Sequence, residues 1–380
     1  MKILQVIPYF TPKKGGDVNV CYNLSKHLAM NNHEVTVLTT TFDFDEEYAN
    51  SLKKLGINIL SFNYYFNINL FIYSPKMRGW LKKHLKDFDV VHMHELRSYQ
   101  NIIVSRYSKK FRIPYIIQSH NSLPQTIGNK KLKKLFDIFW GYKILRDMSK
   151  FIAVSNEEVE NAIKMNIQKS KISLIYNGMD LDIIYDLPKH GEFKKKYNIN
   201  GKMILYLGRI HKLKGINFMI KAFANFTKKT DEKIYFVIAG PDSGEREKLE
   251  KLTVELKVSK QVKFVGYLDE IDKKAAYVDA DLYIHTVQYM GGVAITVLES
   301  ILCGTPVIVT DDCGEIIRKA NCGYFTKFGD INGLEKMIKY VLENSEKSRE
   351  LVERGKKYIQ KNLDWSNVVK KVERIYKDCI

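Results

Sequence analysis

The sequence predicts an α/β protein made of two parallel-sheet domains, and three observations lead there. Short runs rich in Val and Ile alternate with longer segments of helical periodicity, the β-α-β rhythm of a sheet covered on both faces. The rhythm lapses once, across the polar, turn-prone DIIYDLPKHGEFKKKYNIN, and then restarts. Finally, 380 residues with 45% hydrophobic side chains exceed one ordinary core and suffice for two.

The first series opens with ILQVIPYF, a short apolar run followed by a turn at Gly15 and Gly16. The helical VNVCYNLSKHLAMNN comes next, then the strand VTVLTT. Further strands are expected at INILSF, DVVHMH, PYIIQS, KFIAVS and KISLIY. The second series gives KMILYLGR, a helix from near Ile216, KIYFVIAGP, the helix EREKLEKLTVEL, then VKFVGYL, DLYIHT and TPVIVTD. One domain is therefore expected at 1–185, a linker at 186–200 and a second domain at 201–362. Residues 363–380 hold a final amphipathic helix with Val368, Val369, Val372 and Ile375 on one side.

Lysine and arginine number 61 against 43 acidic residues, a net charge of +18. Residues 1–180 carry +11 of this and the remainder +7. The imbalance favours an anionic partner for the first half: a membrane surface, a phosphorylated substrate or nucleic acid. A solvated lysine-rich surface is the plain alternative. No nucleic-acid reader motif accompanies the charge, so that partner is set aside. No apolar run reaches the length of a membrane span, and MKILQVIPYF is broken by Pro8 too soon for a signal peptide. The five cysteines form no CxxC pair, which fits a reduced, cytoplasmic chain without structural zinc.

The stretch YMGGVAITVLESILCGTPVIVTD (289–311) sets one carboxylate, Glu299, inside an apolar helix. Gly291 and Gly292 let the backbone approach a ligand, and the helix is expected to start near Val293 or Ala294. Gly304 suits its end and Pro306 bars its continuation. Such a helix N-terminus offers unpaired N–H groups, at Gly292 and Val293, to a diphosphate. A buried carboxylate is costly without a donor. Two ribose hydroxyls would supply one, and so would a nearby lysine or backbone amide.

LGRIHKLKG places Arg209 and Lys214 just after the second domain's first strand, where two cations can neutralise a diphosphate as it leaves. Lys212 in the same loop reads as solvated. His120 closes the strand PYIIQS, where a lone histidine serves as a structural hydrogen-bonder or as a site residue. Gly15 and Gly16 either admit a ligand to the backbone or form a plain turn. His92 and His94 share a strand face, but no third ligand has matching spacing, so no metal site is expected. DFD at 43–45 lies in an acidic loop and reads as solvated. FNYYFNINLFIY (62–73) and KKLKKLFDIFWGYKILR (130–146) combine aromatic with basic residues, as segments at a membrane interface do. The alternative is that their apolar faces pack on the sheet.

The run GGVAITVLESILCGTPVIVTDDCGEII resembles the signature of retaining, nucleotide-sugar-dependent glycosyltransferases of family 4, which have the two-domain GT-B fold. The resemblance extends over nearly the whole chain. It passes in order through the Gly-Gly turn at 15–16, SH at 119–120, AVS at 153–155, YNGMD at 176–180, LGRIHKLKG at 207–215, FVGYL at 264–268 and the terminal WSNVVKKVERIY. It implies two Rossmann-like domains facing a cleft, with the closing helix crossing back to the first, acceptor-side domain. It also implies that Arg209 and Lys214 hold the donor's diphosphate and Glu299 its ribose. Gly16, Gly266, Gly292 and Val293 would complete the donor site, and His120 would position the donor sugar.

Family members carry Glu-x7-Glu across this loop and helix, but eight residues before Glu299 stands Gly291. The carboxylate that faces the donor sugar in the family is therefore absent, which fits a sugar with an altered or missing hydroxyl there. The implied activity is retaining transfer from a nucleotide-diphosphate sugar, UDP on family frequency, without metal or cofactor. The implied acceptor is a saccharide, lipid-linked or membrane-associated, in surface-glycan assembly. The enzyme would be cytoplasmic, or peripheral at the inner face of the cell membrane. A sugar-nucleotide epimerase and a non-catalytic nucleotide-sugar or glycan-binding protein are the alternatives.

Overall fold

The computed structural model describes residues 1–124, 129–288 and 294–380. They fall into two compact units, Met1–Gly178 with Trp365–Ile380, and Met179–Asp364.

The first unit is built on a sheet of seven parallel strands: β1 (Lys2–Val6), β2 (Glu34–Thr40), β3 (Asn58–Phe62), β6 (Val90–His94), β7 (Tyr115–Gln118), β8 (Lys150–Ala153) and β9 (Ile172–Leu174). Their order is β3-β2-β1-β6-β7-β8-β9. A short antiparallel hairpin, β4 (Phe66–Ile68) and β5 (Phe71–Tyr73), stands apart from the sheet. Side chains alternate between the faces. Ile3 and Ile7 pack on one side with helix α1 (Gly16–Met30) and the C-terminal helix Trp365–Cys379. Leu4 and Val6 pack on the other with Ile103 and Val104. A one-residue slip would exchange the two sets, so the register is strongly specified. On the C-terminal helix, Trp365, Val368, Val369, Val372, Ile375 and Tyr376 make one buried stripe at spacings of three and four.

The second unit has six parallel strands: β10 (Lys202–Leu207), β11 (Ile234–Ala239), β12 (Val262–Gly266), β13 (Leu282–His285), β14 (Val307–Thr310) and β15 (Tyr324–Thr326). Their order is β12-β11-β10-β13-β14-β15. Most of the stretch expected as a linker, 186–200, is instead docked on this unit. Phe193 is buried, and the Asp279 carboxylate accepts the backbone N–H groups of Gly191 and Lys194 at 2.5 and 2.8 Å. Its lysine-rich composition reads as solvated because one aromatic and one remote carboxylate carry the docking. The hairpin, β15 and the helices Ile331–Glu343 and Ser345–Asn362 are elements that the strand and helix patterns above did not single out. No described helix is long and apolar enough to cross a membrane.

Candidate active site

Each sheet has a point where strand order reverses, between β1 and β6 in the first unit and between β10 and β13 in the second. Loops leaving the carboxyl ends of such a pair diverge and open a crevice for a ligand. The residues singled out in the sequence collect at these two places. Gly15 and Gly16 follow β1, and His120 follows β7, the neighbour of β6. Arg209 and Lys214 follow β10, and the helix carrying Glu299 follows β13. Gly266 ends the edge strand β12, with φ 77° and open space where a Cβ would stand. Gly291, Gly292 and Val293 lie outside the described residues.

In the second unit, Arg209 is exposed and Lys214 half-buried. Burial lowers the Lys214 ammonium below its usual range, with Arg209 adding to that and Cys313 opposing it. Two cations that repel each other in a partly desolvated place favour an incoming anion. Their loop is rigidly framed. Thr286 Oγ1 donates to the Lys214 carbonyl at 2.7 Å, and Gly240 passes so close to the Gly208 carbonyl that any Cβ would collide with it.

Helix α2 (Ile295–Leu302) carries Glu299, and the protein itself supplies partners for its carboxylate. Lys273 Nζ lies 3.1 Å from Oε1, and the Tyr277 hydroxyl donates to Oε2 at 2.9 Å. Both donors sit one turn apart on the helix Glu270–Asp279. Burial, then Glu299, pushes the Tyr277 hydroxyl up. Each carboxylate oxygen retains a lone pair after these bonds, so the group can still accept from a ligand. Tyr283 ties this helix to the cationic loop. Its hydroxyl lies 2.9 Å from the Leu207 carbonyl, two residues before Arg209, and 2.8 Å from Thr296 Oγ1 in the first turn of α2. His285 beside it is buried, and burial, then Lys214, lowers its imidazole to about 3.

In the first unit, a hydrogen-bonded chain runs through the sheet to His120. Gln5 Nε2 donates to the Tyr376 hydroxyl at 3.2 Å, and His92 Nδ1 lies 2.7 Å from the same oxygen. Gln5 Oε1 is 2.8 Å from His94 Nε2, and His94 Nδ1 is 2.9 Å from His120 Nε2. Burial holds all three imidazoles neutral, His92 at about 3, His94 well below its ordinary value and His120 at about 4. The tautomers follow from the carbonyl oxygen at one end. His94 gives its Nε2 proton to Gln5, so its Nδ1 accepts, and His120 donates from Nε2. The remaining nitrogen of His120, Nδ1, is therefore an acceptor. His92 and His94 belong to this chain and do not converge on a common point. His120 and Asn121 adopt φ of 50° and 64°, and Glu95 at the end of β6 adopts 67°. Left-handed conformations at non-glycine residues are strained and gather at functional sites.

Gln5, Tyr376, Lys273, Tyr277 and Tyr283 were missed as site residues in the sequence, and His94 was weighed there only with His92 as a metal ligand. Only the spacing of four between Lys273 and Tyr277 gives a hint, since it sets both on one helix face.

Residues 190–358 match the family Glycosyl transferases group 1, and residues 14–183 match Glycosyltransferase Family 4. The N-acetyl-alpha-D-glucosaminyl L-malate synthase of Bacillus anthracis is 24% identical, over 97% of this chain and 95% of the relative. The phosphatidyl-myo-inositol mannosyltransferase of Mycobacterium leprae is 23% identical, over 99% and 96%. Among solved structures, HepE of Anabaena in complex with UDP aligns over all of both chains with a TM-score of 0.81 at 18% identity, a likeness of fold. The fold is that of the GT-B glycosyltransferases.

Proposed function

The chain belongs to the glycosyltransferases, its first half matching Family 4 and its second half group 1, and on that premise we propose that it transfers a sugar from a UDP-sugar to a lipid-linked saccharide. Transfer retains the anomeric configuration and needs no metal ion. The observation that carries this reading is the coupling, through Tyr283, of the Arg209–Lys214 loop to the helix of Glu299 at the second unit's strand reversal. The two cations take up the charge on the diphosphate as its bond to the sugar breaks, the task a metal performs elsewhere. Glu299, held by Lys273 and Tyr277, accepts from the ribose hydroxyls, and Gly16, Gly266 and the amides of Gly292 and Val293 complete the donor site. His120 accepts a hydroxyl of the donor sugar at Nδ1, which positions the sugar. The acceptor's hydroxyl proton passes to the departing phosphate oxygen as the new C–O bond forms.

The two relatives are named for a small polar and for a lipid acceptor, so the acceptor is argued from this chain's own surface. Tyr65, Phe66 and Ile68 on the hairpin, and Ile138, Phe139 and Trp140 beyond the helix Lys130–Phe136, are exposed. Lys130, Lys131 and Lys134 accompany them. Exposed rings beside lysines suit an anionic bilayer surface, where a lipid-linked acceptor resides. None of the five cysteines is in a disulfide, which fits the cytoplasmic face.

The test is incubation with a panel of UDP-sugars and vesicles bearing lipid-linked saccharides, with and without EDTA, reading product configuration by NMR. Retained configuration and EDTA-insensitive transfer are expected. Inversion, loss of activity in EDTA, or consumption of the donor only by epimerisation would overturn the reading.

A further inference from the structure

The turn that presents His120 is strained, and one buried carboxylate grips it on both sides of the histidine. The Ser122 N–H donates to the Ser119 carbonyl at 2.9 Å, so His120 and Asn121 are the central residues of a four-residue turn. Both have positive φ, 50° and 64°, as in a type I′ turn, where glycine and asparagine are the usual occupants. Turn chemistry does not select a histidine at the first of these positions. Such a conformation persists where surrounding structure imposes it.

Glu158 supplies the constraint. It lies fully buried on the helix Asn156–Lys164, which follows β8, the neighbour of β7. Its Oε1 accepts from Ser119 Oγ at 2.5 Å and from the Asn121 N–H at 2.7 Å, the two residues that flank His120. Its Oε2 accepts the Val154 N–H at 2.8 Å. The run Ser155-Asn156-Glu157-Glu158 has the spacing of a capping box. Ser155 fills its half, accepting the Glu158 N–H at 3.1 Å, but the carboxylate reaches past the cap to the neighbouring turn. Burial raises the Glu158 carboxyl above its ordinary range, and the bonds from Ser119, Val154 and Asn121 oppose the rise. Both oxygens are engaged and the side chain is enclosed, so Glu158 acts on a ligand only through His120. His94 holds the imidazole itself, at 2.9 Å, and Glu158 holds the backbone beneath it.

We propose that Glu158 is a positioning residue, which clamps the turn Ser119–Ser122 on both sides of His120 and so aims the histidine's Nδ1 at the donor sugar. The proposal rests on the transferase reading above for the word donor, but the hold on His120 can be measured without it. Nitrogen-edited NMR of the full chain, with His120→Asn for assignment, reads the imidazole. Calorimetric titration with UDP, UDP-glucose, UDP-galactose and UDP-N-acetylglucosamine reads the consequence for the sugar.

The wild type should show His120 as one tautomer, protonated at Nε2, and Glu158→Ala should show a mixture of two. The UDP-sugar that the wild type binds tightest should bind Glu158→Ala about fivefold weaker, from loss of one aimed hydrogen bond. UDP itself, whose proposed cations and Glu299 belong to the second unit, should change by less than about twofold. Glu158→Gln should restore both readouts, since its amide oxygen can still accept from Ser119 and Asn121. Ser119→Ala removes one bond of the clamp, should act in the same direction as Glu158→Ala, and serves if that variant does not fold. A purely structural role would lower stability and leave the ratio of UDP-sugar to UDP affinity unchanged. Folded variants that keep the single tautomer, or that keep the wild-type ratio, would overturn the proposal. A wild type that binds none of the four nucleotides counts against the transferase reading alone, and the histidine spectrum then decides the clamp.

Discussion

The Tyr283 hydroxyl stands 2.8 Å from Thr296 Oγ1 and 2.9 Å from the Leu207 carbonyl. With one proton to give, it donates to the carbonyl and accepts from the threonine. The strand that leads into Arg209 and the helix that carries Glu299 are thus joined through one buried side chain. Tyr283→Phe should lower stability by about 1–3 kcal/mol, because the Leu207 carbonyl loses its donor. It should weaken UDP binding as well, although Tyr283 lies behind the site. Denaturant unfolding and calorimetry read the two effects. A stable variant with unaltered UDP affinity would show that the joint is irrelevant to the site.

Glu299 and Lys273 differ in what their loss exposes. Lys273→Met removes one of two donors and should cost about 1–3 kcal/mol of stability, since the Glu299 carboxylate is only 13% exposed. Glu299→Gln should be the milder change for folding and the more severe one for UDP. Comparing uridine with 2′,3′-dideoxyuridine as ligands isolates the hydroxyl contribution. It should be worth about 1–3 kcal/mol in the native protein and vanish in Glu299→Gln.

His120 should remain neutral far into the acid range. Its folded imidazole titrates at about 4 because burial disfavours the cation, with Asp17 opposing, against an ordinary 6.5 in the unfolded chain. The unfolded chain therefore takes up a proton that the folded one refuses. The contribution of this residue to stability is intact above pH 6.5 and declines as pH falls toward 4, by about 1.4 kcal/mol per pH unit at most. Comparison with His120→Asn separates it from Glu95, whose raised carboxyl acts with the opposite sign. Nitrogen-edited NMR at pH 6 should find Nε2 protonated and Nδ1 bare; a protonated Nδ1 would break the chain from Gln5.

Gly240→Ala should be strongly destabilising, by about 2 kcal/mol or more, because the new Cβ meets the Gly208 carbonyl and the backbone holds φ at 132°. Gly266→Ala, with open space at the Cβ position, carries only the cost of its φ of 77°. A thermal-shift comparison should rank them in that order.

Much of this architecture is readable along the chain because parallel strands buried on both faces leave unbroken Val and Ile runs, as in MILYL and FVIA. Arg209 and Lys214 were locatable because they follow such a run directly. The hairpin escaped notice because Phe66–Ile68 is wholly exposed and shows no alternation. The partners of Glu299 lie 26 and 22 residues away, and Tyr376 lies 284 residues from His92, so no local pattern announces them. The docking of Phe193 depends likewise on Asp279, a carboxylate indistinguishable in sequence from a solvated one.

Calorimetric titration of UDP into the wild-type chain and into Arg209→Ala and Lys214→Ala tests the donor site most directly. Saturable binding by the wild type, weakened in each variant by about 1.5–3 kcal/mol, is the expected result. A wild type that takes up no UDP, or folded variants that bind it as tightly as the wild type, would contradict the site at Arg209, Lys214 and Glu299.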